Sequence, residues 1–200
     1  RFAYIAPTFK QAKSIAWDYM KQFTAKIPHT KFNETELRVD LPNGSRITLL
    51  GSESPDGLRG IYLDGCVIDE YANVNSKLFP EIIRPALSDR KGYCVFIGTP
   101  MGMNNNFYEL YQHAQGAEDW FNYKAKASDT KIVDNDELVK AKEVMGEKKY
   151  LQEFECDWIA NIEGAVYGDV IAKLDDDKQL TRVPYDPALP VSTAWDLGVS

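Results

Sequence analysis

A short apolar run that ends in two acids constrains the fold of this chain more than any other feature. The segment 65–68, GCVI, has no charged or amide side chain, and Asp69 and Glu70 follow it directly. A strand that is apolar on both faces is typical of a buried parallel sheet, and α/β proteins bind ligands at the carboxyl ends of such strands. The run therefore predicts an α/β fold with an acidic site at one edge of its sheet.

Other segments alternate between strand and helix patterns, as expected for a sheet with crossover helices. Thr8 predicts the N-cap of a first helix, and the Asn43-Gly44 pair predicts an antiparallel hairpin, because Asn-Gly tolerates the positive φ angles of a tight turn. The two strands of this hairpin are predicted by the alternation of Leu37, Val39 and Leu41, and of Ile47 and Leu49, with polar residues. The remaining predicted elements are a strand from Ala3 to Ala6, helices from Thr8 to about Phe23, from Ser76 to Leu87 and from Asn106 as cap to Ala114, a fully apolar strand from Tyr93 to Ile97 and an edge strand from Trp120 to Ala127.

The composition and hydrophobic pattern of the sequence change three times along the chain, and we take these changes as domain boundaries. Residues 1–128 hold the predicted sheet, and residues 129–160 are charged and helical, as in a small helical subdomain. Residues 161–190 are rich in Gly and Pro and suit a linker, and residues 191–200 open a new strand. The chain begins without Met inside a predicted strand and ends as abruptly, so we expect a piece of a longer protein.

Composition and charge argue against several classes of protein. A net charge of −7 argues against a surface devoted to coating DNA, since neutralising phosphates needs an excess of Lys and Arg, but it is compatible with a small basic patch. No run of 18 apolar residues occurs, so we expect no membrane span. The three cysteines are widely separated, and neither histidine forms a zinc-ligand pattern with them.

The two acids suggest the chemistry of a nucleotide hydrolase. In such an enzyme Asp69 would hold Mg²⁺, usually through water, and Glu70 would orient and deprotonate the attacking water. Adjacent side chains on a strand point to opposite faces, so the acids can serve these two roles only if the strand ends here. The alternative is an exposed acidic strand end without a catalytic role, and the segment alone does not decide between the two.

Two further motifs support the nucleotide-hydrolase hypothesis. The segment 96–100, FIGTP, predicts a second buried strand that ends in a turn, where Thr99 would sense the γ-phosphate and couple hydrolysis to motion. The segment 54–60, SPDGLRG, places Arg59 in a glycine-flanked loop, from which an arginine can reach a neighbouring subunit's site and stabilise transferring phosphate oxygens. The alternatives are an ordinary strand-to-turn junction for the first motif and a surface arginine for the second.

The order and spacing of the motifs resemble those of the large terminase family, the DNA-packaging motors of tailed phages. The motifs run YIAPTFKQAK, an NG hairpin, SPDGLRG, GCVIDEYA, IIRPALSDRKG, FIGTP, EGAVYGDV and an apolar strand ending in Trp195-Asp196. The resemblance covers essentially all 200 residues. It implies a P-loop NTPase of the ASCE, RecA-like kind, with a parallel sheet and flanking helices. A lid-like helical subdomain, a linker and the first strand of an RNase H-like nuclease would follow.

The resemblance also implies roles for single residues. Asp69 would be the Walker B aspartate that holds Mg²⁺, Glu70 the catalytic glutamate and Thr99 part of the coupling motif. Arg59 falls where the family has an arginine finger that acts in trans. Asp196, in STAWDLG, resembles the first metal-binding aspartate of the nuclease, whose two-metal cleavage with Mg²⁺ or Mn²⁺ needs further acids from later strands.

The family's activity follows as an expectation. ATP hydrolysis would drive double-stranded DNA into a procapsid, and the nuclease would cut concatemeric DNA. The implied cofactors are ATP and Mg²⁺. The implied partners are double-stranded DNA, a small terminase subunit, the portal of the procapsid and further copies in a homo-oligomeric ring, with no membrane, in the host cytoplasm.

The sequence departs from the family pattern in two respects. It contains no GxxxxGK[ST] phosphate-binding loop, and the nuclease pattern stops after one strand, so we expect these 200 residues alone to be inactive. Two alternatives stay open. A superfamily 2 helicase-like ATPase would need a second RecA-like domain. A non-catalytic nucleic-acid-binding or capsid-associated module would leave Asp69, Glu70 and Thr99 without a role.

Overall fold

A six-stranded sheet in the spatial order β2-β3-β4-β1-β5-β6 organises the fold. The computed structural model describes residues 1–159 and positions 170, 173–174, 177–179, 181, 187–188 and 192. The strands are β1 (Phe2–Ala6), β2 (Lys31–Asn33), β3 (Arg38–Asp40), β4 (Arg46–Gly51), β5 (Gly65–Ile68) and β6 (Tyr93–Phe96). Strands β4, β1, β5 and β6 are parallel neighbours, and β2 and β3 extend the sheet in antiparallel fashion. The predicted α/β sheet is confirmed.

Both faces of the sheet are covered, because alternate residues of β1 enter two different apolar clusters. Ala3 and Ile5 pack in the cluster that contains β5 and the helical segment 78–87. Tyr4 and Ala6 belong to the opposite cluster, with the first helix and the hairpin. A central strand must be apolar on both faces in this arrangement, which accounts for the unbroken apolar runs in the sequence.

The helices follow the predicted order, with several departures in detail. They are α1 (Phe9–Ala12), α2 (Asp18–Thr24), α3 (Arg84–Ser88), α4 (Asn106–Ala114), α5 (Ala127–Thr130), α6 (Asn135–Met145) and α7 (Glu147–Glu155). A wider, π-helical segment, Lys13–Trp17, joins α1 to α2, and a second one, Phe79–Ile83, leads into α3. The Thr8 side chain accepts a hydrogen bond from the N–H of Gln11, which confirms the predicted N-cap.

The NG hairpin is confirmed between β3 and β4, and Gly44 takes the left-handed φ of +82° that the turn requires. Leu37 is not part of the strand that the alternating pattern suggested. Its φ is +45°, so the chain turns at this residue, and the strand starts at Arg38. Leu37 is nevertheless fully buried, which explains why the apolar pattern included it.

Two local predictions around α4 were wrong. The N-cap of α4 is Asn105, whose side chain accepts from the N–H groups of Phe107 and Tyr108, whereas the amide of Asn106 donates to Val74. The segment from Trp120 to Ala127 is not an edge strand. The backbone of this segment does not pair with a neighbouring strand. Side-chain contacts hold it instead, among them Trp120 stacked on Phe96 at a centroid distance of 5.9 Å.

The fully apolar strand at Tyr93 to Ile97 is present as β6, but the prediction that this second strand is buried was wrong. In the order of the described strands β6 lies at the edge of the sheet, with β5 as its neighbour. The side chains of Tyr93 and Val95 are 60% and 41% exposed. The apolar composition predicted a buried strand here. Burial of β6 would need a further element packed beside it, and the described residues do not supply one.

Helices α5, α6 and α7 form the predicted helical region. Asp134 caps α6 through the N–H of Asp136, and Gly146 separates α6 from α7 with a φ of +77°. Trp158 connects this region to α4 by packing against Phe107, Tyr108 and Tyr111, each at a centroid distance of 5.3 Å. The domain boundary at residue 128 stays a prediction.

The chain divides into two compact units, Arg1–Asn161 and Ile162–Ser200, and the sheet belongs to the first. Most of the predicted linker at 161–190 and nearly all of the predicted strand at 191–200, including Asp196, lie outside the described residues. Within the described part of the chain, no helix is long and apolar enough to cross a bilayer.

Candidate functional site

The candidate site lies at the carboxyl edge of the parallel strands. Ile68 of β5 pairs with Phe96 of β6, so both strands leave the sheet at the same level. Asp69 and Glu70 follow β5, and Thr99 follows β6 after two intervening residues. Asp69 and Thr99 thus lie at the same edge of one parallel sheet, as predicted, and the further prediction that their side chains are close enough to share one metal-phosphate site stays a prediction.

The turns that follow β5 and β6 are in direct backbone contact. The N–H of Ile97 donates to the carbonyl of Ile68 at 3.0 Å, and the N–H of Tyr71 donates to the carbonyl of Ile97 at 3.1 Å. Gly98 has a φ of +153°, and a Cβ at this position would lie 3.2 Å from Glu70 Cα and from the Tyr71 nitrogen. A side chain at Gly98 would push the two turns apart, so the glycine of the FIGTP motif is required by close approach.

Strand β5 ends at Ile68, and its hydrogen bonding to β1 ends between the two acids. The N–H of Asp69 still donates to the carbonyl of Ile5, at 2.8 Å, in continuation of the pairing with β1. Glu70 has a φ of +48°, in the left-handed region that non-glycine residues rarely adopt. Because the chain turns sharply at Glu70, the two side chains need not point to opposite faces of a strand. The acids therefore meet the condition that the strand must end here if they are to serve two separate roles. Strained residues of this kind cluster at functional sites.

Both oxygens of the Asp69 carboxylate accept hydrogen bonds. Oδ1 accepts from the N–H of Glu70 at 2.9 Å, and Oδ2 accepts from the hydroxyl of Tyr4 on the adjacent strand β1. Burial, together with the hydrogen bond to Asp69, raises the pKa of Tyr4 well above its usual range, so the hydroxyl keeps its proton and acts as a donor. Sequence reasoning missed Tyr4. Its hydroxyl in an otherwise apolar strand was the available signal.

Glu70 is half-buried, and burial raises the pKa of its carboxyl group. The neighbouring charge of Asp69 and that of Glu153, on helix α7, raise this pKa further. Glu153 itself forms an ion pair with Lys149 at 2.8 Å. The helical region thus contributes a carboxylate to the electrostatic surroundings of the site.

The raised pKa of Glu70 predicts a pH-dependent effect on stability. A carboxyl group whose pKa is higher in the folded state favours folding when protonated, and this contribution is lost as the pH rises through the folded pKa. Glu70→Gln should therefore raise the melting temperature at pH 7, by about 2 °C. The difference should disappear as the pH falls below the ordinary glutamate pKa, about 4.3. Thermal melts of a protein containing these residues, without nucleotide or metal, test this.

Glu143→Gln, on the exposed surface of α6, is the matched control for the same chemical change. It should leave the melting temperature nearly unchanged across the same pH range. An equal rise in both variants, or a lower melting temperature for Glu70→Gln at pH 7, would contradict the proposed electrostatic penalty at position 70.

Arg59 does not join Asp69, Glu70 and Thr99. Its Nε donates to Asp56 at 2.8 Å and its Nη2 to Glu81 at 3.4 Å, and its side chain is 55% exposed. These two carboxylates keep the guanidinium on the outer surface, beside the segment that leads into α3. The arginine is thus held on the surface by these two partners and does not contact Asp69 or Glu70.

The acidic edge offers oxygen donors but not a complete metal site. Within the described ranges, no group of three or more His, Cys, Asp or Glu side chains could hold a metal ion. Mg²⁺ is commonly bound by one or two carboxylates together with substrate phosphates and waters. The carboxylate of Asp69 offers oxygen atoms of the kind that Mg²⁺ takes as ligands, and a nucleotide and waters would have to complete such a site.

Comparison with known protein sequences gives matches to large terminases. The sequence matches the family described as "Terminase large subunit, T4likevirus-type, N-terminal" over residues 1–168. Similar curated proteins include the large terminase subunits of Thermus phage G20c and of Thermus virus P23-45. Each is 30% identical, over 54% of this chain and 26% of the relative. The chain thus spans about a quarter of the length of these relatives.

Solved structures with the same fold include two phage large terminases. The ATPase domain of the large terminase of Thermus phage P74-26 has a TM-score of 0.64 at 22% identity, covering 78% of this chain and 76% of that one. The large terminase of a second, thermophilic bacteriophage, in complex with ADP, has a TM-score of 0.62 at 14% identity, covering 78% and 40%. These likenesses confirm the predicted fold class, that of a large terminase ATPase domain.

Proposed function

This chain belongs to the large terminase subunit family, and on that premise we propose that it forms most of the ATPase of a phage DNA-packaging motor. One observation carries the proposal. The acidic turn after β5 and the Gly98-Thr99 turn after β6 are in contact at the carboxyl edge of a parallel sheet. Nucleotide hydrolases need a metal-holding acid, a base for water and a γ-phosphate sensor within one such edge.

Each residue of this edge has a chemical task in the proposal. Asp69, held by two hydrogen bonds, would bind Mg²⁺, which neutralises charge on the phosphate oxygens when it is bound. Glu70 would accept a proton from the attacking water, and its raised pKa makes it a better base than an exposed carboxylate. Thr99 would sense the γ-phosphate and pass its loss to the neighbouring turn.

The open edge of β6 supports an extension of this proposal. Exposed apolar strand edges are rare in folded proteins because they pair with other strands. Strand β6 is an edge strand among the described residues, and its Tyr93 and Val95 side chains are exposed as well. The matched P74-26 ATPase domain is covered to 76% by this chain. We propose that a longer polypeptide, here called the complete subunit, supplies a strand that pairs with β6 and carries the phosphate-binding loop to Thr99.

The wider activity of the complete subunit is part of the same proposal. ATP hydrolysis would move double-stranded DNA into a procapsid, with the portal, a small terminase subunit and a ring of identical subunits as partners, in the host cytoplasm. Arg59 would act in trans in this ring, since its exposed guanidinium pairs with Asp56 and Glu81 on the surface and not with Asp69 or Glu70. Asp196 would bind Mg²⁺ or Mn²⁺ in an RNase H-like nuclease that cuts concatemeric DNA.

ATP binding and hydrolysis test the proposed function. The complete subunit should bind a non-hydrolysable ATP analogue in the presence of Mg²⁺ and should hydrolyse ATP faster when double-stranded DNA is added. A protein limited to residues 1–200 should bind the analogue at least about a hundredfold more weakly, because it lacks the lysine and backbone N–H groups that cradle the phosphates.

Isothermal titration calorimetry of the two proteins gives both affinities, and circular dichroism checks that the shorter protein is folded. Equal affinities would contradict the proposed need for a phosphate-binding loop outside these residues. A complete subunit that neither binds nor hydrolyses ATP would contradict the ATPase proposal itself.

A further inference from the structure

The hydrogen bonds of Asp69 leave its carboxylate with one defined orientation. Oδ1 accepts from the N–H of the next residue, Glu70, and Oδ2 accepts from the Tyr4 hydroxyl. The backbone donor alone would fix one oxygen and leave the plane of the carboxylate free to rotate. The second hydrogen bond, from a different strand, removes that freedom.

The register of the sheet explains why Tyr4 can reach Asp69. Tyr4 of β1 pairs with Val67 of β5, two residues before Asp69, so the side chains of all three positions lie on the same face. Two residues of a strand span about 6.6 Å, a distance that a tyrosine side chain leaning along the strand can cover. A phenylalanine at this position would fill the same space but would donate no hydrogen bond.

The position of Tyr4 in the fold makes this contact a rigid one. Strand β1 lies between β4 and β5 and is hydrogen-bonded along its length on both sides. The tyrosine ring packs against the apolar cluster that includes Ala6 and Leu49. The hydroxyl is therefore held by the central part of the sheet rather than by a surface loop.

We propose that Tyr4 is a positioning residue for the metal-nucleotide site, and that its hydroxyl fixes the Asp69 carboxylate in the orientation that binds Mg²⁺ with ATP. The inference rests on the proposed function. A carboxylate oxygen has lone pairs beyond the one that accepts from the hydroxyl, so Asp69 keeps acceptor capacity for a metal ion or its waters. Hydrogen bonds to metal-ligating carboxylates typically change metal affinity or activity by about 10- to 100-fold.

The test is nucleotide-dependent Mn²⁺ binding by the complete subunit, with Mn²⁺ as the spectroscopic substitute for Mg²⁺. Free Mn²⁺ is measured by electron paramagnetic resonance for the subunit alone, for a non-hydrolysable ATP analogue alone and for the two together. The Mn²⁺ bound in the mixture beyond the sum of the first two samples is assigned to the ATPase site, because it excludes both a nuclease metal and Mn²⁺ chelated by the free analogue. Tyr4→Phe should weaken this binding by about 10- to 100-fold. Tyr62→Phe removes the same atom from an exposed tyrosine that precedes β5, and should stay within about twofold of the wild type.

Two further variants separate positioning from a general structural effect. In an Asp69→Asn background, Tyr4→Phe should cause little additional loss of Mn²⁺ affinity, because the hydroxyl acts through the carboxylate. Replacing Tyr4 with 4-aminophenylalanine keeps a donor at the same place and should return the affinity to within about threefold of the wild type. Thermal melts of each variant establish that it is folded.

Three results would overturn the inference: Tyr4→Phe binds Mn²⁺ like the wild type, its loss is undiminished in the Asp69→Asn background, or a folded 4-aminophenylalanine variant binds no better than Tyr4→Phe. Should Tyr4→Phe fail to fold, the 4-aminophenylalanine variant decides alone. A wild-type subunit that binds no Mn²⁺ with the nucleotide analogue contradicts the proposed function instead, so the two failures are distinguishable.

Discussion

Arg59→Ala in the complete subunit should lower ATP turnover by about a thousandfold or more while leaving ATP binding nearly intact. An arginine finger stabilises charge that develops on the phosphate oxygens in the transition state, so its loss changes kcat rather than ground-state affinity. Arg59 is 55% exposed, and its two partners, Asp56 and Glu81, are exposed carboxylates. Exposed ion pairs contribute little free energy, so little opposes its release toward a neighbouring subunit.

Steady-state ATP hydrolysis and analogue binding of the Arg59→Ala variant provide the measurement. Mixing this variant with Glu70→Ala subunits should restore some turnover, because at a shared interface one chain supplies the arginine and the other supplies the catalytic acid. Arg84→Ala is the matched control, since Arg84 is also exposed and lies on the adjacent helix α3. Full activity of Arg59→Ala would reduce this residue to a turn arginine.

Asp196→Asn should abolish the metal-dependent DNA cleavage of the complete subunit and leave ATP hydrolysis close to normal. The alternating pattern from Val191 to Trp195 predicts a strand, and Asp196 follows at its far end, where the carboxylate would be one ligand of a two-metal site. Asparagine keeps the size of the side chain but removes the charge that binds the metal. The ATPase residues lie in another predicted domain, so their activity should not depend on it.

Cleavage of plasmid DNA with Mg²⁺ or Mn²⁺, and ATP hydrolysis by the same preparation, measure the two activities. Asp177→Asn, in the acidic run that precedes the predicted nuclease strand, controls for the loss of one negative charge. Cleavage that survives Asp196→Asn would show that the nuclease assignment at this position is wrong, and the ATPase proposal would still stand on Asp69, Glu70 and Thr99.

The parallel part of the sheet could be predicted because its strands have a strong local signature. Apolar runs bounded by turn residues identified β1, β5 and β6, and the rule that ligands bind at carboxyl ends placed Asp69 and Thr99 at one edge. Thr8 was recognised as a cap because capping depends on neighbours three residues away. Each of these predictions relies on interactions within a few residues of the chain.

The features that were missed depend on contacts between distant residues. Tyr4 and Asp69 are 65 positions apart, and the register that joins them follows from strand order, which periodicity does not reveal. The exposure of β6 likewise depends on which strands lie beside it rather than on its own composition. The left-handed φ of Glu70 has no signature in the sequence, since glutamate is not a residue type that favours this conformation.

The close approach of Gly98 to the backbone of Glu70 has a mechanical consequence. Where side chains separate two turns, a small displacement of one can be absorbed by a change of rotamer. Here backbone faces backbone, and the N–H of Tyr71 ties the acidic turn to the carbonyl of Ile97. No flexible side chain separates the two turns at this point, so we expect a shift of Thr99 by a few tenths of an ångström to move Glu70 with it, which would couple the proposed sensor to the proposed base.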